Sequence, residues 1–481
     1  MEMSSLKEKT ANGLLWGGIA SGLQQLLNLV FGIFLGRLLT DADYGMVGYL
    51  TVFTLIAGSL QEGGFISALN KRKNVTRADY NSVFWFNTLM SLSLYTLLFF
   101  CAPLIADFFH EPDLTPLARY VFAGFVISSL NIVPRAYLFR ELKVKQNTII
   151  SFVALLTSGI VGVTMAWQGF AYWGIATQSI VYAVCTTLGT YWVTRWWPSI
   201  HFSFRPVREM LGYSGRLIIT NVFVILNQQL FSILLGKLFN RRELGKFTQA
   251  NKWNTMGHSL ISQMLYSVTQ PLFAKVDDRE QQRAALQKMV RLTACLTFPA
   301  MFGLSVIAHE FIIITITEKW LASAAMLQLL CIWGAFVPMQ TLFQNFLLAR
   351  GRSGIYMWGT IGLAILVFGA ALLVSPYGLE WMLRVFVAVN ILWLLFWHHF
   401  VRRLTGYGLL AFLKDMAPYL GLSVVLCIGA YFLFSGVTHL WLSLLGKVLF
   451  VGTTYCLTLW MSGSAIFRES LLFLFQKGKA S

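Results

Sequence analysis

Apolar runs of about twenty residues or more recur along this chain from one end to the other. As a helix rising 1.5 Å per residue, such a run crosses ~30 Å of hydrocarbon. Lipid offers no hydrogen bonds, so each run must satisfy its own backbone polar groups. The repetition admits one fold class: an all-α polytopic membrane protein. Composition agrees, with 57% hydrophobic and 12% charged residues, about half the charge of a soluble domain. A soluble enzyme, a nucleic-acid module and a secreted disulfide scaffold are excluded.

About fourteen spans are predicted, near residues 12–36, 44–68, 82–105, 116–138, 147–168, 171–194, 213–238, 244–273, 291–316, 322–348, 354–375, 378–400, 416–435 and 440–462. The first, from Ala11 to Leu39, is too long for a signal h-region and counts as a span. The fifth and sixth turn around Gln168–Gly169. The longer connections, Trp196 to Gly212, Lys275 to Val290 and Val401 to Asp415, fall on one side. Most of the 37 Lys and Arg gather on that side, in clusters such as Lys71–Lys73, Arg140–Lys145 and Arg402–Arg403. Asp41/Asp43 and Asp107/Glu111/Asp113 mark the opposite face. Positive charge stays cytoplasmic, so both termini are expected inside and the net charge of +17 reports orientation rather than a nucleic-acid partner. All six cysteines sit inside apolar segments without CxxC spacing and read as small buried apolar residues.

An internal repeat organises the chain. FLGRLLTDADYG at 34–45 aligns with LLGKLFNRRELG at 234–245, pairing Gly36 with Gly236 and Gly45 with Gly245. Val133-Pro134 and Leu138-Phe139 align with Val337-Pro338 and Leu342-Phe343 at nearly the same offset. The expected layout is two six-helix lobes, residues 1–200 and 201–405, related by a parallel repeat, plus two helices and a cytoplasmic tail in 406–481. A parallel two-lobe bundle is the architecture of alternating-access carriers, with a site near the midplane between lobes. A duplicated scaffold without transport is the alternative.

The stretches GRLLTDADYGMVGYL, EGGFISALNKRKNVTRADYNSVFW and VPRAYLFRELKVKQ resemble the Wzx-type polysaccharide flippases, above all their colanic-acid-exporter branch. FSFRPVREMLGYSGRL, LGKFTQANKW and TEKWLASA continue the likeness, which runs in order from about residue 10 to 400. This branch belongs to the multidrug/oligosaccharidyl-lipid/polysaccharide exporter superfamily. The resemblance implies alternating access and an undecaprenyl-pyrophosphate-linked oligosaccharide as cargo, moved across a bacterial inner membrane for surface-polysaccharide export. It further implies a monomer, with transient contacts to a polysaccharide polymerase and glycosyltransferases.

A pyrophosphate head needs positive charge inside the bilayer, where a lone Lys costs ~2.5–3.5 kcal/mol. Lys252 stands eight residues past Leu244, some 12 Å along the eighth span at 1.5 Å per residue. The family's stretch carries a basic residue at this position. Snorkelling to the headgroups, or a structural partner carboxylate, is the other reading. Arg216, one turn into the seventh span, is a second substrate-binding candidate or an interfacial anchor. Glu62 is the acidic anomaly: a site for a coupling proton or Na⁺, or a polar contact with a neighbouring helix. Phe231 departs from the acidic residue that many relatives carry near this point, which weakens a borrowed ion-coupling model.

Gln24, Gln25 and Asn28 on the first span, with Asn227, Gln228 and Gln229 on the seventh, form an amide layer. Gln340 and Gln344 share a face of the tenth. Amides hydrogen-bond sugar hydroxyls, and equally cement helices in lipid. Gly18/Gly22 and Gly32/Gly36 have GxxxG spacing, a packing signal. Asp277/Asp278 begin an amphipathic helix whose dipole favours them there. No catalytic motif, metal-ligand spacing or cofactor fingerprint occurs in the sequence. The expected activity is therefore transport without a covalent step. A lipid II flippase, a multidrug exporter and a membrane glycan polymerase or transferase are the runners-up, and the short outer loops disfavour the last.

Overall fold

A computed structural model describes residues 22–62, 75–141, 143–199, 203–276, 278–464 and 467. Every extended element among them is helical. The first half contains α1 (Gly22–Leu38), α2 (Asp41–Glu62), α3 (Arg77–Phe109), α4 (Leu114–Arg140), α5 (Val144–Trp167), α6 (Tyr172–Thr194) and α7 (Phe204–Leu238). The second contains α8 (Arg241–Lys275), α9 (Arg279–Val306), α10 (Ala308–Ile316), α11 (Leu321–Gly334), α12 (Val337–Ala349), α13 (Ser353–Val374), α14 (Leu379–Thr405), α15 (Leu409–Phe434) and α16 (Leu440–Met461). Ten spans among the described residues are long and apolar enough to cross a membrane. The protein is a multi-pass membrane protein, and its outward faces carry residues such as Phe100, Leu373 and Phe432.

Chain contacts divide the molecule into residues 1–245 and 246–481. In the first unit α3 packs along α4, and α6 along both α4 and α5. Thr76 starts α3 with a capping box: its hydroxyl accepts from the Asp79 amide, and its own amide donates to Oδ2 of Asp79 at 2.9 Å. Gly169, at φ +89°, makes the tight turn expected between α5 and α6. The long connection predicted from Trp196 to Gly212 is shorter, because α7 begins at Phe204. Its first residues are pinned to α3. Trp85 Nε1 donates to the Ser199 carbonyl at 2.8 Å, and the Ser199 amide donates to Asn81 Oδ1 at 3.1 Å.

Glycines aligned by the offset of 200 meet within this unit. A Cβ on Gly45 would sit 1.8 Å from the Arg241 carbonyl oxygen, and one on Gly245 would sit 1.7 Å from that of Asp41. The starts of α2 and α8 thus cross at backbone contact, which only glycine permits on both sides. Gly22 makes no such approach among the described residues, none of which lies within 4 Å of its added Cβ. The packing expected from GxxxG at that position is not made; Gly18 lies outside the described residues.

In the second unit α15 lies along α9, and α16 along α15. The last two helices, which fall outside the sequence repeat, are fastened to this unit by charge. Near one end, Arg291 donates Nε to Asp415 Oδ1 at 2.8 Å, and Tyr407 donates its hydroxyl to Oδ2 at 2.7 Å. Burial, then the Asp415 carboxylate, push the Tyr407 phenol far above its usual range and keep it a donor. Deeper in, Lys447 of α16 pairs with Glu310 of α10, and Ser443 donates to the same carboxylate oxygen at 2.7 Å. Asp278 caps α9 as its position suggested, accepting from the amides of Glu280 and Gln281; Asp277 lies outside the described residues. The amphipathic stretch runs on into the span as one helix. Cys295, Cys331 and Cys427 are buried as expected, Cys101 and Cys185 partly so, but Cys456 is exposed.

Candidate functional site

Lys252 lies on α8, half-buried, and its ammonium rests 5.6 Å from the centre of the Trp253 ring. Among the described residues no carboxylate forms an ion pair with it. Trp253 is fixed edge-on against Phe311 of α10 at 5.1 Å, so the ring beneath the cation is held rigidly. A cation over an indole face, without an opposite charge, keeps its positive field available to an anion.

The same helix carries a polar series beyond Lys252. Gln249 and Asn254 are fully buried, and no polar atom of either carboxamide has a protein partner among the described residues. The indole N–H of Trp253 and Nδ1 of His258 are likewise unpaired. Each orphaned polar atom costs ~1–3 kcal/mol, so α8 concentrates unmet hydrogen-bonding capacity around Lys252. The signal was present in the sequence: FTQANKWNTMGH is the least apolar stretch of any predicted span, and polar groups within a membrane mark functional surfaces.

The remaining predicted site residues are spread over the first unit. Gln25 is half-buried on α1, while Asn28 on α1 and Gln228 on α7 are exposed. Glu62 closes α2 and Arg216 falls within α7; both side chains lie outside the described set. Phe231 is buried, 1% exposed. Of the amides on the tenth span, Gln340 donates Nε2 to the Asn390 carbonyl of α14 at 2.6 Å, which makes it helix cement. Two ionisable residues that the sequence patterns did not flag are Glu310 and Lys447. Each stands nearly alone in an apolar span.

The fold is that of a multi-pass helical membrane protein. Solved structures share the architecture. An inward closed conformation of the lipid II flippase MurJ superposes with TM-score 0.78 at 15% identity, covering 95% of this chain and 100% of that one. An inward-facing multidrug-resistance MATE transporter of the MOP superfamily gives 0.63 at 17% identity, over 79% and 95%. Residues 34–325 match the model of one family, and the chain belongs to it: the polysaccharide biosynthesis protein family. Its relatives include the lipopolysaccharide biosynthesis protein WzxC of Escherichia coli K12, 26% identical over 72% of this chain and 71% of that protein. The teichuronic acid biosynthesis protein TuaB of Bacillus subtilis is 24% identical over 82% and 83%. The succinoglycan biosynthesis transport protein ExoT of Rhizobium meliloti is 22% identical over 80% and 76%.

Proposed function

We propose that this protein is a flippase, moving undecaprenyl-pyrophosphate-linked oligosaccharide from the cytoplasmic to the outer leaflet of the bacterial inner membrane for surface-polysaccharide export. The observation that carries the reading is Lys252 of α8, a cation with no ion-pair partner among the described residues, in a member of the polysaccharide biosynthesis protein family. In a medium of low dielectric a pyrophosphate compensates that charge far better than water does at the headgroups. Lys252 docks the diphosphate, with Arg216 as a second contact, while Gln25, Asn28 and Gln228 offer hydrogen bonds to sugar hydroxyls. Residues 1–200 and 201–405 act as the lobes of an alternating-access cycle, and 406–481 as an appended pair of helices. The basic clusters hold both termini in the cytoplasm. No covalent step is involved, and the chain works as a monomer beside the polymerase and transferases of its pathway. Where an H⁺ or Na⁺ gradient drives transport, Glu62 is the coupling carboxylate.

Reconstitution in proteoliposomes tests this. Wild-type protein delivers the lipid-linked glycan to the opposite leaflet, Lys252→Ala abolishes delivery at normal protein level, and Lys252→Arg restores part of it. Full transport by Lys252→Ala would remove the docking assignment. A wild type that moves no lipid-linked glycan from its own cells would overturn the flippase reading.

A further inference from the structure

A cavity inside the first unit, one part of it lined mainly by polar groups, has no role in the reading above. Two adjoining hollows, of about 230 and 240 Å³, share Asn131 and Arg135 of α4 and Tyr182 and Thr186 of α6 as walls. One extends to Gln24 of α1 and Asn147 of α5. At ~30 Å³ per water, each has room for on the order of eight water molecules, enough for a single sugar ring. Asn131 and Arg135 come nine and five residues before the end of α4, Thr186 eight before the end of α6, and Asn147 three after the start of α5. At 1.5 Å per residue all four lie within ~14 Å of the same side of the bundle. It is the side carrying Arg140, Lys143, Lys145 and Arg195, the cytoplasmic side of the proposed topology, from which cargo is loaded.

We infer that this cavity is a saccharide subsite, taking a neutral pyranose of the glycan while its lipid diphosphate docks elsewhere. The inference rests on the flippase reading and adds where the sugar is recognised. Its argument is the state of the wall atoms. Asn131 uses its carbonyl to accept from Thr190 at 2.6 Å, which leaves its NH₂ group as a donor toward the hollow. Among the described residues the side chains of Gln24 and Asn147 and the Tyr182 hydroxyl have no protein partner, although none of the three is exposed. Thr186 spends its proton on the Tyr182 carbonyl at 2.9 Å and keeps its lone pairs as an acceptor. Donors and acceptors therefore line one small space together, matching sugar hydroxyls that each give and take a hydrogen bond. An acyl chain or an apolar drug would leave these groups desolvated and unpaired. Among the described residues Arg135 is the one charged residue in the walls, and it is exposed, so these walls present neutral polar groups rather than a concentrated cationic field.

The test measures binding to full-length protein in detergent with two probes: lipid-linked glycan extracted from the producing cells, and bare undecaprenyl pyrophosphate. Wild type prefers the glycosylated probe. Tyr182→Phe combined with Asn147→Ala lowers affinity for it about tenfold, with affinity for the bare carrier within twofold of wild type. Lys252→Ala lowers both. Unaltered preference in the cavity variant, equal loss of both probes, or a wild type that does not distinguish them, overturns the subsite alone. Inorganic pyrophosphate shielding a cysteine placed at Thr186 from a maleimide would make the cavity an anion site and also overturn it. Wild-type protein that binds neither lipid removes the flippase reading and the subsite with it.

Discussion

Breaking the Glu310–Lys447 pair from one side should cost far more than removing it from both. Lys447 lies seven residues into α16, about 10 Å at 1.5 Å per residue, and both side chains are nearly closed off, 7% and 8% exposed. The ammonium donates to the Glu310 carboxylate and, at 3.3 Å, to the Val306 carbonyl, while Ser443 supports the same carboxylate oxygen. Remove Lys447 alone and a buried carboxylate loses its counter-ion. Such single deletions cost ~3–5 kcal/mol, whereas replacing both partners with apolar groups of similar volume is often neutral. Against a total stability of about 5–15 kcal/mol, the single change approaches unfolding. Lys447→Met is therefore expected to lower the thermal or denaturant midpoint sharply in detergent, and Glu310→Leu with Lys447→Met to recover most of it. The coupling energy from the cycle should exceed ~2 kcal/mol. A Lys447→Met protein as stable as wild type, or a double variant no better than the worse single one, would refute the reasoning.

Gly45→Ala or Gly245→Ala pushes a methyl group into a facing carbonyl where 1.7–1.8 Å is available, so the yield of monodisperse protein should collapse while Gly22→Ala leaves it unchanged. Comparable yields from all three would show that the helix starts part freely. Asp415→Asn weakens the Arg291 contact and reorders the Tyr407 hydrogen bond, for a loss of about 1–3 kcal/mol, and Tyr407→Phe about 1 kcal/mol. Chemical denaturation measures both, and equal stability of Asp415→Asn and wild type would count against the cluster as the fastening of α15.

Hydropathy is a property of single segments, which is why the helical class, the tight turn at Gly169 and the cap at Asp278 are legible from the residues alone. Lys252 stands out within a single segment too, as a charge in the least apolar stretch of any predicted span. The amide layer is harder. Gln24, Gln25 and Asn28 look alike in sequence, yet Gln24 lines the polar cavity, Gln25 is half-buried and Asn28 is exposed. A rotation of 100° per residue decides which of them meets a neighbour, and that choice depends on where the neighbouring helices lie. Gln340 shows the other outcome, since its partner carbonyl on Asn390 is 50 residues away.

The sequence by itself determined that this chain lives in a membrane as helices, and the order in which they come, because each helix satisfies its backbone internally whatever surrounds it. The offset of 200 between Gly45 and Gly245 was visible there too. Only the tertiary structure decided that these glycines lie against each other's helices, that Lys447 finds Glu310 across 137 residues, and that four helices leave a polar hollow between them. Lipid supplies little hydrophobic drive between helices, so partners are chosen by close packing and by polar groups that must be met. Those choices involve residues far apart in the chain and become readable only once the helices are placed side by side.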